Sequence, residues 1–217
     1  MSLTITTLDW VPDFPRGYVK DLRARWACRE AGLDYEIATV PADPKSDAHL
    51  KIQPFHQVPI LQDDGLTLFE SGAIVLHLAG KSPALMPEGE EERAHVTQWI
   101  FAALSSIEPP IAAWVFTTFG DAKDESTEKL HGWMHERLGQ LDAVLAGRDY
   151  LVAGRFTAAD LMVADVVRLI ADDGELESYP ALTAYVDRMT ARPAFREAYD
   201  EQIAHWEKAD ELRADQD

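Results

Sequence analysis

Within the fifteen residues from Gln57 to Ser71 the chain places three groups suited to holding a small polar molecule. Glu70 and Ser71 open an apolar run in which Ala73, Ile74 and Leu78 recur at helical spacing. Both polar side chains therefore fall on a first helical turn, beside unpaired backbone amides and the positive helix end. Ser71 with those amides suits a carboxylate, and Glu70 suits an ammonium. Shortly before them stands Val58-Pro59. Proline cannot donate a ladder hydrogen bond, so it belongs at a strand start or an edge, where its neighbours' backbone stays free to pair with a peptide. The plainer reading of the same residues is a strand start followed by a helix start.

Positioning those groups requires a hairpin and a helix. Val58 to Leu61 and Leu66 to Phe69 are apolar runs joined by Asp63-Asp64-Gly65, and an Asp-Gly pair between such runs predicts two antiparallel strands. The helix opened by Glu70-Ser71 should stop at Gly80, with Lys81 and Pro83 beyond it. Upstream, Thr4 to Leu8 reads as a strand, Asp9 to Gly17 as a loop, Tyr18 to Ala31 as a helix closed by Gly32, and Tyr35 to Val40 as a second strand. Asp43-Pro44 should start a short helix that ends before Pro54. Residues 1–80 thus form an α/β domain in the order β-α-β-α-β-β-α, residues 81–89 a linker, and residues 90–217 an all-α domain. In the latter, Pro109-Pro110 should break or kink a helix running from Glu90, an aromatic face resumes from Ile111 to Phe119, and Asp121 to Leu145 forms a long helix. Thr157 and Asp160 stand at capping-box spacing ahead of a buried helix from Leu161 to Ala171.

Composition narrows the functional classes. Hydrophobic residues make up 47% of the 217, which excludes a disordered chain. The formal charge of −18 argues against nucleic acid. No apolar run is read as membrane-spanning, no signal segment is evident, and the single Cys28 forms no internal disulfide, so a cytoplasmic protein is expected. Five basic residues, Arg16, Lys20, Arg23, Arg25 and Arg29, fall in one short span and could draw a small anion, although most read as solvated helix charges. His131 and His135 lie four apart on a helix, but no third ligand follows them, so no metal site is expected.

Val58-Pro59, the hairpin and Glu70-Ser71 at a helix start, taken together, resemble the glutathione-binding half of cytosolic glutathione transferases of bacterial type. The strand and helix order resembles a thioredoxin-like domain. Leu22 to Glu36 is similar to the first helix and second strand of that family, and Gly154-Arg155-Phe156-Thr157-Ala158-Ala159-Asp160 is similar to the capping motif of its helical domain. The absence of Cys-x-x-Cys argues against a redox thioredoxin, and Cys28 reads as a small core residue. The resemblance covers about residues 3 to 200 and leaves the acidic tail after Glu201 as a frayed helix or a flap carried by Trp206.

What the resemblance implies is a homodimeric detoxification enzyme with glutathione as cosubstrate. Proline 59 would be cis, the backbone of Val58 would pair with the cysteinyl part of glutathione, Glu70 and Ser71 would hold its γ-glutamyl group, and Gln57 would face the glycine carboxylate. The partner substrate would be a small apolar electrophile or a mixed disulfide, with Trp10, Phe14, Trp114 and Phe116 as candidate pocket walls. A non-catalytic binding or interaction protein, or a glutathione-dependent isomerase or dehalogenase, is the alternative. The reaction needs a thiolate, and a thiol near pKa 8.5 is only about 3% ionised at pH 7. Lowering it to about 6.5 takes roughly 2.7 kcal/mol, which a helix N-terminus at about 0.3 to 2 kcal/mol and one charged hydrogen bond at about 1.5 to 3 kcal/mol can supply. The family often carries Ser or Cys shortly before the Arg-x-Arg matching Arg23-Ala24-Arg25, and this loop has no Ser, Thr or Cys. Tyr18 stands near that position with Arg16 beside it, so a phenol donor with electrostatic help is one reading. Backbone amides of the loop, with Tyr18 packed on the sheet, are the other.

Overall fold

A computed structural model describes residues 3–118 and 125–214. The chain divides into two compact units, residues 1–82 with 193–217, and residues 83–192.

The first unit is built on a four-stranded sheet in the order β2-β1-β3-β4, with β1 Leu3–Leu8, β2 Tyr35–Val40, β3 Ile60–Asp63 and β4 Leu66–Phe69. β1 runs parallel to β2, pairing Ile5 with Ile37, and antiparallel to β3, pairing Ile5 with Leu61. The β3-β4 hairpin turns on Asp64 and Gly65, at φ 45° and 88°. Two consecutive positive φ values are what a tight primed turn demands, and Asp-Gly is a pair that tolerates them. The thioredoxin-like layout is as expected, with α1 Asp21–Ala31, α2 Asp47–Ile52 and α3 Ser71–Ala79 between and after the strands.

Two boundaries depart from the sequence reading. α1 begins at Asp21 rather than Tyr18, because Pro15 to Lys20 forms a turn in which the Tyr18 and Val19 amides both donate to Pro15 O. Gly17 adopts φ 79° there, and a Cβ on it would lie 2.6 Å from the Tyr199 ring. α2 begins at Asp47 with Ser46 as N-cap, the Ser46 hydroxyl accepting from the His49 amide, while Asp43-Pro44 is a cis peptide in the preceding loop. α3 ends at Ala79 with Gly80 as its C-cap, as the sequence leads one to expect, although Gly80 stands at φ −62° rather than in the left-handed region.

The last helix, α9 Pro193–Ala214, groups with the first unit and packs on α1, so the helical unit closes at residue 192 rather than 217. The acidic tail is neither frayed nor a flap over the cleft, since Trp206 and Gln202 are fully buried. Gln202 Nε2 donates to Asp21 Oδ1 at 2.6 Å, and Glu201 accepts from Arg25, Arg29 and the Tyr35 hydroxyl. Arg23 and Arg25 are accordingly buried rather than solvated. On β3, Asp63 holds both Lys81 Nζ at 2.5 Å and His77 Nε2 at 2.6 Å.

The second unit contains α4 Glu90–Ala102, α5 Glu108–Thr118, α6 Glu125–Leu145, α7 Ala158–Val167 and α8 Pro180–Thr190. The proline pair does not break the α4-α5 stretch. A π-helical turn over Ala103–Ile107 widens the ladder just before Pro109 and Pro110, which lack N–H donors, and the helix continues. As one stretch, Glu90–Thr117 is long and apolar enough to cross a membrane by length and composition, which the split reading of the sequence missed. In this unit α4 packs on α7 and α5 on α6. The expected positions Phe119 and Asp121 lie outside the described residues.

α7 is buried along its whole length, and Asp160 ties it down. One oxygen of Asp160 accepts from the Thr157 amide and hydroxyl, and the other from the Leu151 amide and the Tyr185 hydroxyl. Asp160→Ala should cost about 3 kcal/mol or more in urea unfolding, because it removes a cap and strands several buried donors. A loss under about 1 kcal/mol would show that these bonds are replaceable. A second outcome concerns pH. Lys81 first, and then His77, hold the Asp63 carboxyl below its usual range. A depressed carboxyl contributes stability that is present above its unfolded value of about 3.9 and is lost as pH falls through the lower folded value. Asp63→Asn should therefore cost stability at pH 7 and progressively less toward pH 2, as measured by thermal unfolding across that range.

Candidate functional site

A small polar cleft of about 30 Å³ in the first unit is lined by Lys20, Gln53, Gln57, Val58, Pro59, Glu70 and Ser71. Each side of it follows from local backbone chemistry. The Val58-Pro59 peptide is cis, and the β3 ladder begins only at Ile60, which pairs with Thr6 and Phe69. Val58 therefore sits ahead of the sheet, at the wall of the cleft. Gln57 is placed by its carbonyl, which lies 3.0 Å from Nε2 of the buried His49 on α2. Gln53, also buried, caps its own turn by accepting from the Phe55 amide at 2.6 Å.

Glu70 supports the opposite wall at φ 72° and ψ 115°, a backbone conformation that a non-glycine residue adopts only where its surroundings hold it. Its carbonyl accepts the Ile74 amide and so starts α3, while its side chain remains exposed. Ser71, the first residue of α3, is nearly buried, and its Oγ accepts from Arg23 at 3.0 Å. With that acceptor role filled, the hydroxyl proton is available to a ligand in the cleft. Ser71 and Glu70 flank the unpaired first amides of α3, so an anion and a cation can be held side by side. Lys20, the residue before α1, brings a positive side chain and the N-terminal end of that helix to the same cleft.

All five residues expected to bind a ligand thus line one cleft. Tyr18 and Arg16 are not among its lining residues. Tyr18 lies in the turn before α1. The Arg16 guanidinium forms a two-pronged pair with Asp210 of α9, at 2.6 and 2.8 Å, and also donates to Val11 O. Arg16, helped by Trp10 Nε1, holds the Asp210 carboxyl down to about 2. Of the expected pocket aromatics, Trp10 is engaged by Asp210 and by Arg213, and Phe14 is exposed, both in the first unit. In the second, Trp114 stacks near His131 and Phe116 is exposed.

Sequence reasoning placed Lys20 and Arg23 only in a basic span able to draw a small anion, and missed Gln53 as a contributor. Arg23 carried a further signal, because an Arg-x-Arg pair on a helix otherwise rich in alanine has to find partners somewhere. Gln53 carried none.

Residues 16–80 match the family described as "Glutathione S-transferase, N-terminal domain", and residues 87–193 match "Glutathione S-transferase, C-terminal domain". The chain is 35% identical over 190 residues to Glutathione S-transferase 1 of Zea mays, covering 79% of this chain and 87% of the maize protein. It is 29% identical to Elongation factor 1-gamma of Danio rerio, over 80% of this chain but only 42% of that longer protein. Among solved structures, a glutathione transferase family member from Pseudomonas fluorescens, with two glutathione bound, superposes with a TM-score of 0.79. The two are 25% identical, and the match covers 91% of this chain and 92% of that one.

Cys28, the only cysteine, is fully buried inside α1, and burial pushes its thiol up to about 12. The folded protein should therefore show no reaction with a disulfide reagent at pH 8 over minutes, and one equivalent of thiol should appear in urea. Rapid labelling without denaturant would mean that α1 opens readily.

Proposed function

Because the chain belongs to the glutathione S-transferase family, we propose that it binds glutathione in the Val58-Ser71 cleft and transfers its thiolate to a small apolar electrophile. What carries this reading is the convergence of a cis Val58-Pro59 peptide with Glu70 and Ser71 at the start of α3 on one cleft. In this reading the Val58 backbone pairs with the cysteinyl unit, as an added strand pairs with a sheet edge. Glu70 takes the γ-glutamyl ammonium, Ser71 and the α3 amides take its carboxylate, and Gln57 with Lys20 takes the glycine carboxylate. Arg23 keeps the Ser71 hydroxyl turned toward the ligand.

The sulfur then faces the α1 N-terminus. Tyr18 donates its phenolic hydrogen to the thiolate, and the helix end adds its partial positive charge. Arg16 acts weakly here, since Asp210 already neutralises it. The thiolate attacks the electrophilic carbon, a C–S bond forms, and the leaving group departs with the electron pair of the bond that breaks. The protein works in the cytoplasm as a homodimer, which the exposed apolar side chains of Phe101 and Phe116 support. Sedimentation as a monomer at micromolar concentration would overturn the dimer.

The elongation factor relative and a loop without Ser, Thr or Cys favour a second reading, in which the fold binds glutathione or a protein partner without catalysis. Calorimetric titration with glutathione from pH 6 to 8 separates the two. Saturable binding with proton release near neutrality is expected, and Ser71→Ala should weaken it about tenfold, the equivalent of one hydrogen bond. Tyr18→Phe should leave affinity unchanged and lower turnover of an aromatic halide about tenfold or more. Binding without proton release or turnover would favour the scaffold, and no binding would end both glutathione readings.

A further inference from the structure

The sequence offered two histidines on α6 with no partner in view. In the folded second unit a third group joins them. Glu175 lies in the turn between α7 and α8, where Gly174 at φ 79° redirects the chain. Its Oε2 approaches His131 Nε2 at 3.0 Å and His135 Nε2 at 2.8 Å, and the two Nε2 atoms are themselves 2.8 Å apart. Three potential ligand atoms therefore converge on one point, and all three side chains are only partly buried.

The tautomer of His135 sharpens the chemistry. The Tyr179 hydroxyl donates to the His135 carbonyl at 3.1 Å, and its oxygen lies 2.7 Å from His135 Nδ1. With the phenolic hydrogen used, Nδ1 is the donor in that second contact. A neutral His135 then presents the lone pair of Nε2 to the carboxylate of Glu175 and to His131. Lone pairs facing one another at 2.8 Å repel unless a cation sits between them. Either a proton on Nε2 or a metal ion satisfies the cluster. Tyr179, from the residue preceding α8, is the kind of outer partner that orients a metal-bound imidazole.

We propose that His131, His135 and Glu175 form a binding site for a divalent transition cation of the zinc type, tying α6 to the turn ahead of α8. Two imidazoles and one carboxylate are the donor set such an ion prefers over magnesium or calcium, which take oxygen ligands. Bonds of about 2.0 to 2.2 Å around a tetrahedral ion separate its ligand atoms by roughly 3.3 to 3.6 Å. Reaching that geometry needs side-chain shifts of about half an ångström, within the reach of partly exposed residues. The fourth position faces water, since His131 is 40% exposed at its side chain. The site lies wholly in the second unit and owes nothing to the glutathione reading.

The test uses the full chain, untagged and stripped with chelator, titrated with zinc against a chromophoric competitor at pH 7.5. One equivalent per chain should bind, unaffected by millimolar magnesium. Cobalt at the same site should give the visible absorption of a tetrahedral centre. His135→Gln and, independently, the more exposed His131→Asn should each weaken binding at least 100-fold while urea unfolding without metal stays near wild type. Tyr179→Phe, which keeps all three ligands, should weaken it about 10-fold to 100-fold. Zinc should raise the melting temperature of wild type and of neither histidine variant. No stoichiometric binding by wild type, or equal binding by wild type and both histidine variants, would overturn the site and leave a proton at its centre.

Discussion

A buried ion pair on the first helix sets the terms for the first unit. Asp21 and Arg25 face each other at 2.7 Å, both withdrawn from water. Burial pushes the Asp21 carboxyl up while Arg25 pulls it back, so the pair persists only where further hydrogen bonds complete it. Those bonds come from the far end of the chain. Gln202 reaches the free oxygen of Asp21, and Glu201 gathers Arg25, Arg29 and Tyr35. A helix that could have been a loose acidic tail thereby completes the buried polar groups of α1.

The same helix α1 carries the cleft. Arg23, midway in sequence between the two members of the buried pair, fixes Ser71 at the start of α3, and Lys20 borders the opening. The wall formed by Val58 and Pro59 depends on the sheet beginning one residue later, at Ile60. Binding groups thus sit on element ends whose positions the core decides, and the exposed Glu70 follows a backbone that its neighbours hold at φ 72°. Such rigidity suits a site that must present a donor, an acceptor and a helix end to one ligand at once.

Legibility followed sequence distance. Val58, Pro59, Glu70 and Ser71 could be read together because a hairpin joins them, and an Asp-Gly turn has few alternatives. Lys20 and Gln53 reach the cleft from other elements; Lys20 showed only as one member of a basic span, and nothing in the local pattern of Gln53 separates it from surface polar residues. The basic run from Arg16 to Arg29 looked solvated because, Asp21 apart, its acidic partners lie at Glu201 and Asp210, beyond any local window. Helix starts misplaced by a few residues, at Asp21 and Asp47, trace to turn geometry at Gly17 and Pro44. At Pro109-Pro110 a π-helical turn absorbed what the prolines alone would have interrupted. Glu175 was invisible as a companion of His131 because it lies 44 positions further along the chain.

The interleaved order of the two units bears on how the chain is made. Residues 1–82 cannot complete their core while the ribosome is still adding the second unit, because the partners of Asp21 and Arg25 have not yet been translated. At roughly 5 to 20 residues per second, the delay is on the order of ten seconds. During it the N-terminal layer carries two charges without their native neighbours, and the central unit, contiguous from 83 to 192, has time to fold first. Maturation therefore runs opposite to the order of synthesis for these two units, and the one begun earlier is the later to close.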